Sequence, residues 1–258
     1  MPRSRNRRVK PPPFEYHAPT SIDEACGLLS TLEDAKVLAG GQSLVPLLNF
    51  RLARPAHLVD INRLPDLAGI YERDGGVAVG ALARQAAVED SQLVERVCPL
   101  LTEAMLLVAH RVIRNRGTVC GSLAHCDPAS ELPAVLLALG GHVIARSTRG
   151  ERVIPAAELF KGVFETTLAP DELLVEAWFP APSGAFAIAE ESRRHGDFAL
   201  AGAVRVADRL ALFGVAPTPV LADPRDPTRG LQPSGDLEAT PEFRLHLVKV
   251  LTERVLAA

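Results

Sequence analysis

The stretch Ala39-Gly40-Gly41-Gln42-Ser43 follows a predicted buried strand and opens onto the apolar run that begins at Leu44. A second stretch of small residues, Thr118-Val119-Cys120-Gly121-Ser122, lies far along the chain and also opens onto an apolar run. Glycine has no Cβ, so its backbone can come within hydrogen-bonding distance of a ligand. Two such loops that converge can hold a pyrophosphate between their backbone N–H groups. The pair therefore indicates a dinucleotide site.

The composition is that of a globular protein: 258 residues, a formal net charge of −3, 47% hydrophobic residues and 23% charged residues. This length suffices for two domains with a sizeable core. No apolar run approaches the roughly 20 residues that a membrane-spanning helix requires, so no membrane span is predicted. The nearly balanced charge argues against nucleic acid as the main partner.

The N-terminal residues argue against a signal peptide, and the cysteines argue against a metal or iron–sulfur site. Residues 1–11 are predicted to form a basic arm, and Arg7-Arg8 is followed by prolines rather than an apolar segment, so no signal peptide is expected. The four cysteines form no CxxC pair, so neither a metal site nor an iron–sulfur cluster is predicted in this chain. Scattered cysteines fit a reducing compartment, and we predict a cytoplasmic location.

The order of predicted elements divides the chain into an α/β unit (12–64), a second unit (65–182) and a C-terminal domain (183–258). In the first unit, strands are predicted at 14–16, 36–39 and 58–61, and Ser21 and Ser43 are the expected N-caps of two helices. The second unit has predicted strands at 77–80, 142–145 and 173–179, helical segments over 81–109 and 133–139, and a glycine loop within 113–122. Beyond a linker at 180–184, we predict strands at 185–191, 199–206 and 210–215, an extended loop over 216–241 and a closing helix over 241–256.

These stretches carry a specific resemblance. The two glycine loops, together with residues 127–133, 168–174 and 192–199, match in order and spacing the motifs of one family. The chain resembles the medium, flavin-carrying subunit of the molybdenum hydroxylases, a family that includes carbon monoxide, xanthine, nicotine and caffeine dehydrogenases. The resemblance implies an α+β fold with a two-subdomain FAD-binding domain of the PCMH type. A small and trimmed C-terminal α+β domain, like that of carbon monoxide dehydrogenase flavoproteins, would follow it.

The resemblance also implies a set of FAD-binding residues and no catalytic residue. The first loop would wrap the pyrophosphate, the second would close over it, and Glu131 would bind the adenosine ribose where relatives usually have aspartate. Leu174 and Val108 would form opposite walls, Asp127 would lie beside the cofactor, and Phe198 near the isoalloxazine ring. The full set is Val37, Leu38, Ala39, Gly40, Gly41, Gln42, Ser43, Leu44, Val108, Thr118, Val119, Cys120, Gly121, Ser122, Asp127, Glu131, Leu174 and Phe198.

By the same resemblance, the chain would transfer electrons within an oxidoreductase complex. A large subunit would carry molybdopterin and a small subunit two [2Fe–2S] clusters, as a heterotrimer or its dimer. Electrons from the clusters would reach this FAD and then an external acceptor such as a quinone, NAD or oxygen.

Two departures from the family pattern leave alternatives open. Cys120 replaces the usual glycine of the second loop, and a lysine usual before Arg193-Arg194 is absent, with residues 189–191 in its place. An FAD-free assembly subunit is therefore one alternative. A stand-alone flavin-dependent reductase or oxidase of related fold is the other, and it would need its own acid–base residue.

Overall fold

The computed structural model describes residues 11–258, so the predicted basic arm lies, except for its last residue, outside the described residues. The first unit comprises β1 (Glu15–His17), α1 (Ile22–Thr31), β2 (Ala35–Leu38), α2 (Leu44–Asn49) and β3 (His57–Asp60). Its strands form a parallel sheet in the order β1-β3-β2. The predicted helix cap at Ser21 is confirmed, since its hydroxyl accepts the N–H of Glu24 at 3.1 Å.

Ser43 occupies the predicted N-cap position of α2, but its side chain makes no capping hydrogen bond, and the structure shows why. The residue already has helical dihedrals, with φ −98° and ψ −48°. The N–H of Val45 is bonded to the carbonyl of Gly41 at 3.0 Å, and Pro46 has no N–H to donate. Both backbone donors that an N-cap side chain normally reaches are therefore lacking.

The second unit holds a five-stranded antiparallel sheet in the order β4-β5-β10-β6-β7. In chain order its elements are β4 (Ile70–Arg73), β5 (Gly76–Gly80), α3 (Gln85–Glu89), α4 (Gln92–Val97), α5 (Pro99–Leu107), α6 (Arg111–Arg114), α7 (Val119–His125), α8 (Glu131–Leu139), β6 (His142–Ser147), β7 (Gly150–Pro155), α9 (Ala156–Leu159), β8 (Phe160–Gly162), β9 (Glu165–Thr166) and β10 (Leu173–Pro180). Every residue of α8 is buried, so this helix lies at the centre of the molecule.

The C-terminal unit is an antiparallel sheet with a helix on each face. It comprises β11 (Phe186–Ser192), β12 (Ala199–Val206), β13 (Arg209–Phe213), β14 (Val220–Ala222) and α10 (Pro241–Ala257). Helix α10 packs on β11 and β12, and α8 of the second unit packs on β12 and β13. This double coverage explains why β12 is buried along nearly its whole length. The segment predicted as an extended loop, 216–241, contains the short strand β14, which corrects that prediction.

One large apolar core joins all three units, and a smaller cluster lies between the C-terminal sheet and α10. Within residues 11–258, none of the helices is both long and apolar enough to cross a membrane.

Candidate functional site

The two glycine-containing stretches meet in the structure. A Cβ placed on Gly40 would lie 2.9 Å from the Cα of Gly117 and still closer to the carbonyl oxygen of Arg116. Gly117 is held in turn by its carbonyl, which accepts the N–H of Gln85 at 2.9 Å. The first and second units are therefore joined at this point, which we call the loop junction (residues 39–44 and 116–120).

At the loop junction, the first stretch leaves several backbone donors unused. Gly41 has φ +76°, a left-handed conformation that favours glycine, and it turns the chain from β2 into α2. Among residues 11–258, the N–H groups of Gln42, Ser43 and Leu44 have no hydrogen-bond partner. N–H groups in the first turn of a helix carry partial positive charge, so they suit an anion.

The second stretch is a helix start rather than a loop, which corrects the sequence interpretation. Thr118 is the N-cap of α7, and its hydroxyl accepts the N–H of Gly121 at 3.1 Å. The N–H of Ser122 bonds to the carbonyl of Thr118 at 3.1 Å. The N–H groups of Gly121 and Ser122 are therefore used within the first turn of α7 and are not free for a ligand.

Cys120 presents its backbone, not its side chain, to the loop junction. Its thiol donates to the carbonyl of Val79 on β5 at 3.4 Å and is buried in the core. Its φ is not positive, so a side chain is accommodated at this position without backbone strain. Burial raises the pKa of this thiol well above its ordinary value. Burial also raises the pKa values of Cys98 and Cys126 to about 11. All four cysteines are free and buried, so they act as packed side chains.

A cation that sequence reasoning missed lies beside the loop junction. Arg84 donates to the carbonyl of Arg116 at 2.8 Å and to the side-chain oxygen of Asn62 at 2.6 Å. Asn62 also donates to the carbonyl of Ala39 at 2.8 Å. The side chains of Arg84 and Asn62 thus link the two stretches. No local pattern marks Arg84 in the sequence, because its partners are backbone carbonyls from distant segments.

The charge of Arg84 is not neutralised by the protein. Burial lowers the pKa of its guanidinium, and the positive charge of Arg116 lowers it further. Asp60 opposes this effect, but its carboxylate already accepts from the Tyr16 hydroxyl at 2.5 Å and from Asn62 at 2.6 Å. Neither Arg84 nor Arg116 forms an ion pair with any residue in the described part of the chain. The loop junction therefore combines unused N–H groups with unpaired positive charge, the combination that binds a phosphate group.

Two other predicted residues, Asp127 and Phe198, line a cleft of about 480 Å³ between the second unit and the C-terminal unit. Asp127 shapes its own turn, since its carboxylate accepts the N–H of Ala129 at 2.9 Å. The ring of Phe198 is 68% exposed. His125 stacks on Phe164, another cleft residue, with 4.9 Å between ring centroids. The cleft thus presents aromatic faces and a carboxylate, which suit a planar ring with polar edges.

Two carboxyl groups lie near each other between the units, one buried (Glu131) and one half-buried (Glu190). Glu131 begins α8 with 7% of its surface exposed, and burial raises its pKa to about 7. Burial raises the pKa of Glu190 on β11 to about 8, and the negative charge of Glu131 adds to the shift. One carboxylate oxygen of Glu190, Oε2, is buried and has no hydrogen-bond partner among residues 11–258. This orphaned oxygen leaves a polar position that a ligand hydroxyl would satisfy.

The remaining predicted residues belong to the surrounding walls. Val37 and Leu38 are half-buried at the end of β2. Val108 follows α5, and its carbonyl accepts from Arg114 at 2.8 Å. Leu174 lies in β10 at a bulge against β6 and is 6% exposed. Their contacts to a ligand stay predictions.

The loop before Phe198 lies against His110, at the turn between α5 and α6. A Cβ on Gly196 would come within 2.8 Å of His110 ring atoms, and the rings of His110 and His195 are 5.7 Å apart. These contacts bring His195 and Gly196 of the C-terminal unit next to His110 of the second unit.

Comparison with known proteins gives one consistent result. Residues 12–182 match the family model described as the FAD binding domain in molybdopterin dehydrogenase. The chain is 40% identical, over 96% of its length and 95% of the relative, to the 6-hydroxypseudooxynicotine dehydrogenase complex subunit alpha of Paenarthrobacter nicotinovorans. It is 41% identical to the carbon monoxide dehydrogenase medium chain of Hydrogenophaga pseudoflava, over 81% of this chain and 77% of that one.

Solved structures agree with the sequence comparisons. Carbon monoxide dehydrogenase from Hydrogenophaga pseudoflava superposes with a TM-score of 0.91 and 35% identity, covering 96% of this chain and 97% of that chain. The predicted fold class, an α+β FAD-binding domain with a C-terminal α+β domain, is thereby confirmed. The alignment with the Paenarthrobacter relative spans 281 positions, more than the 258 residues here, so the relative has extra residues within the aligned region.

Proposed function

The chain belongs to the family of FAD-binding domains of molybdopterin dehydrogenases, and on that premise we propose that it is the electron-transferring medium subunit of a molybdenum hydroxylase complex. FAD, when bound, supplies the redox chemistry, and the chain supplies binding, orientation and electrostatics. Among residues 11–258 we assign no nucleophile to the reaction. The observation that carries the proposal is the loop junction, where unused N–H groups converge with the unpaired charge of Arg84.

The chain's own residues fit an extended dinucleotide. Backbone N–H groups of residues 42–44, with Arg84 beside them, would hold the pyrophosphate. Glu131 and the unpartnered oxygen of Glu190 would accept or donate hydrogen bonds to ligand hydroxyls, since both carboxyls have raised pKa values. The cleft with Asp127 and Phe198 would take a planar ring and shield one of its faces from water.

The proposed partner subunits and the proposed electron path rest on what the relatives are called. The Paenarthrobacter relative is a subunit of a dehydrogenase complex, and the Hydrogenophaga relative is a medium chain. We extend this to a large molybdopterin subunit and a small [2Fe–2S] subunit, assembled as a heterotrimer or its dimer. Electrons would pass from the clusters to FAD and on to an external acceptor. A cytoplasmic location stays a prediction.

Cys120 no longer supports an FAD-free assembly subunit. Its thiol faces Val79 in the core, so a side chain at this position does not obstruct the loop junction. The missing lysine is the other observation in favour of that alternative. In its place, residues 189–191 contain the half-buried Glu190, whose carboxyl pKa is raised.

The experiment is flavin reconstitution and purification of the native assembly. We expect the purified chain to bind one FAD per chain, seen by its visible absorption, and to co-purify with two subunits carrying molybdopterin and iron–sulfur clusters. In the reduced complex, cluster reoxidation by NAD, a quinone or oxygen should require FAD on this chain. Absence of flavin absorption after FAD addition overturns the cofactor assignment. An isolated chain that oxidises an organic substrate without partners overturns the subunit assignment.

A further inference from the structure

Three potential metal ligands meet on the first sheet, apart from the loop junction. Glu15 and His17 lie two residues apart on β1, so their side chains share one face of the sheet. His57, the first residue of β3, is the register partner of Glu15 on the adjacent strand and therefore lies on the same face. Tyr16, between the two ligands, lies on the opposite face and bonds to Asp60.

The distances between these donor atoms are those of ligands around one ion. His17 Nε2 lies 3.2 Å from His57 Nδ1, and Glu15 Oε2 lies 3.5 Å from the same nitrogen. The three donor atoms all fall within 4.8 Å of one another. For bonds of about 2.0–2.1 Å, neighbouring ligands in a tetrahedral zinc site are about 3.3 Å apart. The His17–His57 distance of 3.2 Å and the Glu15–His57 distance of 3.5 Å lie on either side of this value.

The orientation and charge also favour a cation. The two imidazole rings have centroids 5.3 Å apart and are tilted by 45°, so ring nitrogens rather than ring faces approach each other. Glu15 supplies a carboxylate, and its only ion-pair partner among residues 11–258 is His57. Two imidazoles and one carboxylate form a donor set that zinc uses with water in a fourth position.

We propose that Glu15, His17 and His57 bind one Zn²⁺ ion, with water as the fourth ligand. The site would fasten β1, an edge strand of only three residues, to the central strand β3. Because these donors come from separate strands, they converge only in the folded chain, so the ion stabilises the folded state by mass action. The sequence does not indicate this site, because His57 is 40 residues from His17.

The test uses the full chain, purified without a histidine tag and stripped of metal with a chelator. Titration with Zn²⁺ in a calorimeter should give one site per chain and a rise in Tm. His17→Ala and His57→Ala should each weaken binding by at least about tenfold. Glu15→Gln should weaken it less, and His246→Ala, which removes an exposed histidine on α10, should leave it unchanged. Co²⁺ at the same site should give the intense visible bands of tetrahedral coordination.

Absence of stoichiometric Zn²⁺ binding, or binding that survives both His17→Ala and His57→Ala, overturns the proposal. If His57→Ala does not fold, His17→Gln replaces it, because His17 lies on the edge strand. Loss of the same magnitude in His246→Ala would show surface binding only and would also overturn it. FAD binding is measured in parallel and should not change in these variants, so this test is independent of the proposed function.

Discussion

Gly40 lies so close to the backbone of Gly117 that a Cβ on Gly40 would come 2.9 Å from the Gly117 Cα. Backbone atoms cannot rotate away as the end of a side chain can. The spacing between the first and second units at the loop junction is therefore set by the absence of one methyl group.

We expect Gly40→Ala to separate the two stretches and to lose FAD, with a destabilisation of about 1–3 kcal/mol from overpacking. Gly27→Ala is the matched control, because a Cβ on Gly27 meets no atom within 4 Å in the middle of α1. There alanine should stabilise the chain slightly, since glycine costs up to about 1 kcal/mol in a helix. Thermal unfolding and bound-flavin content measure both effects. Wild-type flavin content and Tm in Gly40→Ala would contradict the assigned packing.

Arg84 gives the second prediction. Arg84→Gln removes the unpaired positive charge beside the first-turn N–H groups, and we expect FAD affinity to fall by at least about tenfold, the scale of one charge-assisted hydrogen bond. Arg84→Lys keeps the charge but loses one of two directed hydrogen bonds, so its affinity should be intermediate. Fluorescence titration of flavin-free protein measures the affinities, and the difference should shrink at high salt.

Arg96→Gln is the control for this arginine, since Arg96 is exposed and pairs only with Glu72 at 2.9 Å among the described residues. If Arg84→Gln and Arg96→Gln bind FAD equally well, the pyrophosphate does not lie at the loop junction.

The sequence predicted those parts of the molecule that local signals determine. Helix α1 follows from Ser21 and the acids after it, and its cap is present. The first turn of α7 was missed because small residues after Thr118 resemble a loop, whereas burial of Val119 and Cys120 makes them helical. Arg84 was missed for another reason: its role depends on carbonyls that come together only in the fold. Local sequence patterns carry no information on such long-range hydrogen bonds.

The position of the Cys120 thiol yields a third prediction. Cys120→Gly should destabilise the chain by about 1–3 kcal/mol, because it opens a space in the core and places glycine in a helix. Cys120→Ala should cost less. Both variants should keep FAD, since the thiol faces Val79 rather than the loop junction. Loss of flavin in Cys120→Ala at an unchanged Tm would show instead that the thiol contacts the cofactor.

The carboxyl groups of Glu131, which is buried, and Glu190, which is half-buried, give a pH dependence of stability whose sign follows from linkage. Their pKa values in the folded state are raised by burial to about 7 and about 8, above the ordinary value of 4.5. Between these limits the folded state holds more protons than the unfolded state, so the free energy of unfolding falls as pH rises. This loss of stability is absent at pH values below the ordinary pKa and complete at pH values above the raised pKa.

Glu131→Gln and Glu190→Gln remove this penalty in flavin-free protein. Relative to wild type, each variant should change stability little at pH 5 and gain on the order of 2 kcal/mol at pH 8. Urea unfolding at a series of pH values gives the difference directly, and it cancels the contribution of ion pairs elsewhere. Glu95→Gln, at an exposed position on α4, should show no such trend. Parallel stability curves for wild type and both variants from pH 5 to pH 8 would mean that these carboxyls ionise without cost, and that water reaches them in the flavin-free protein.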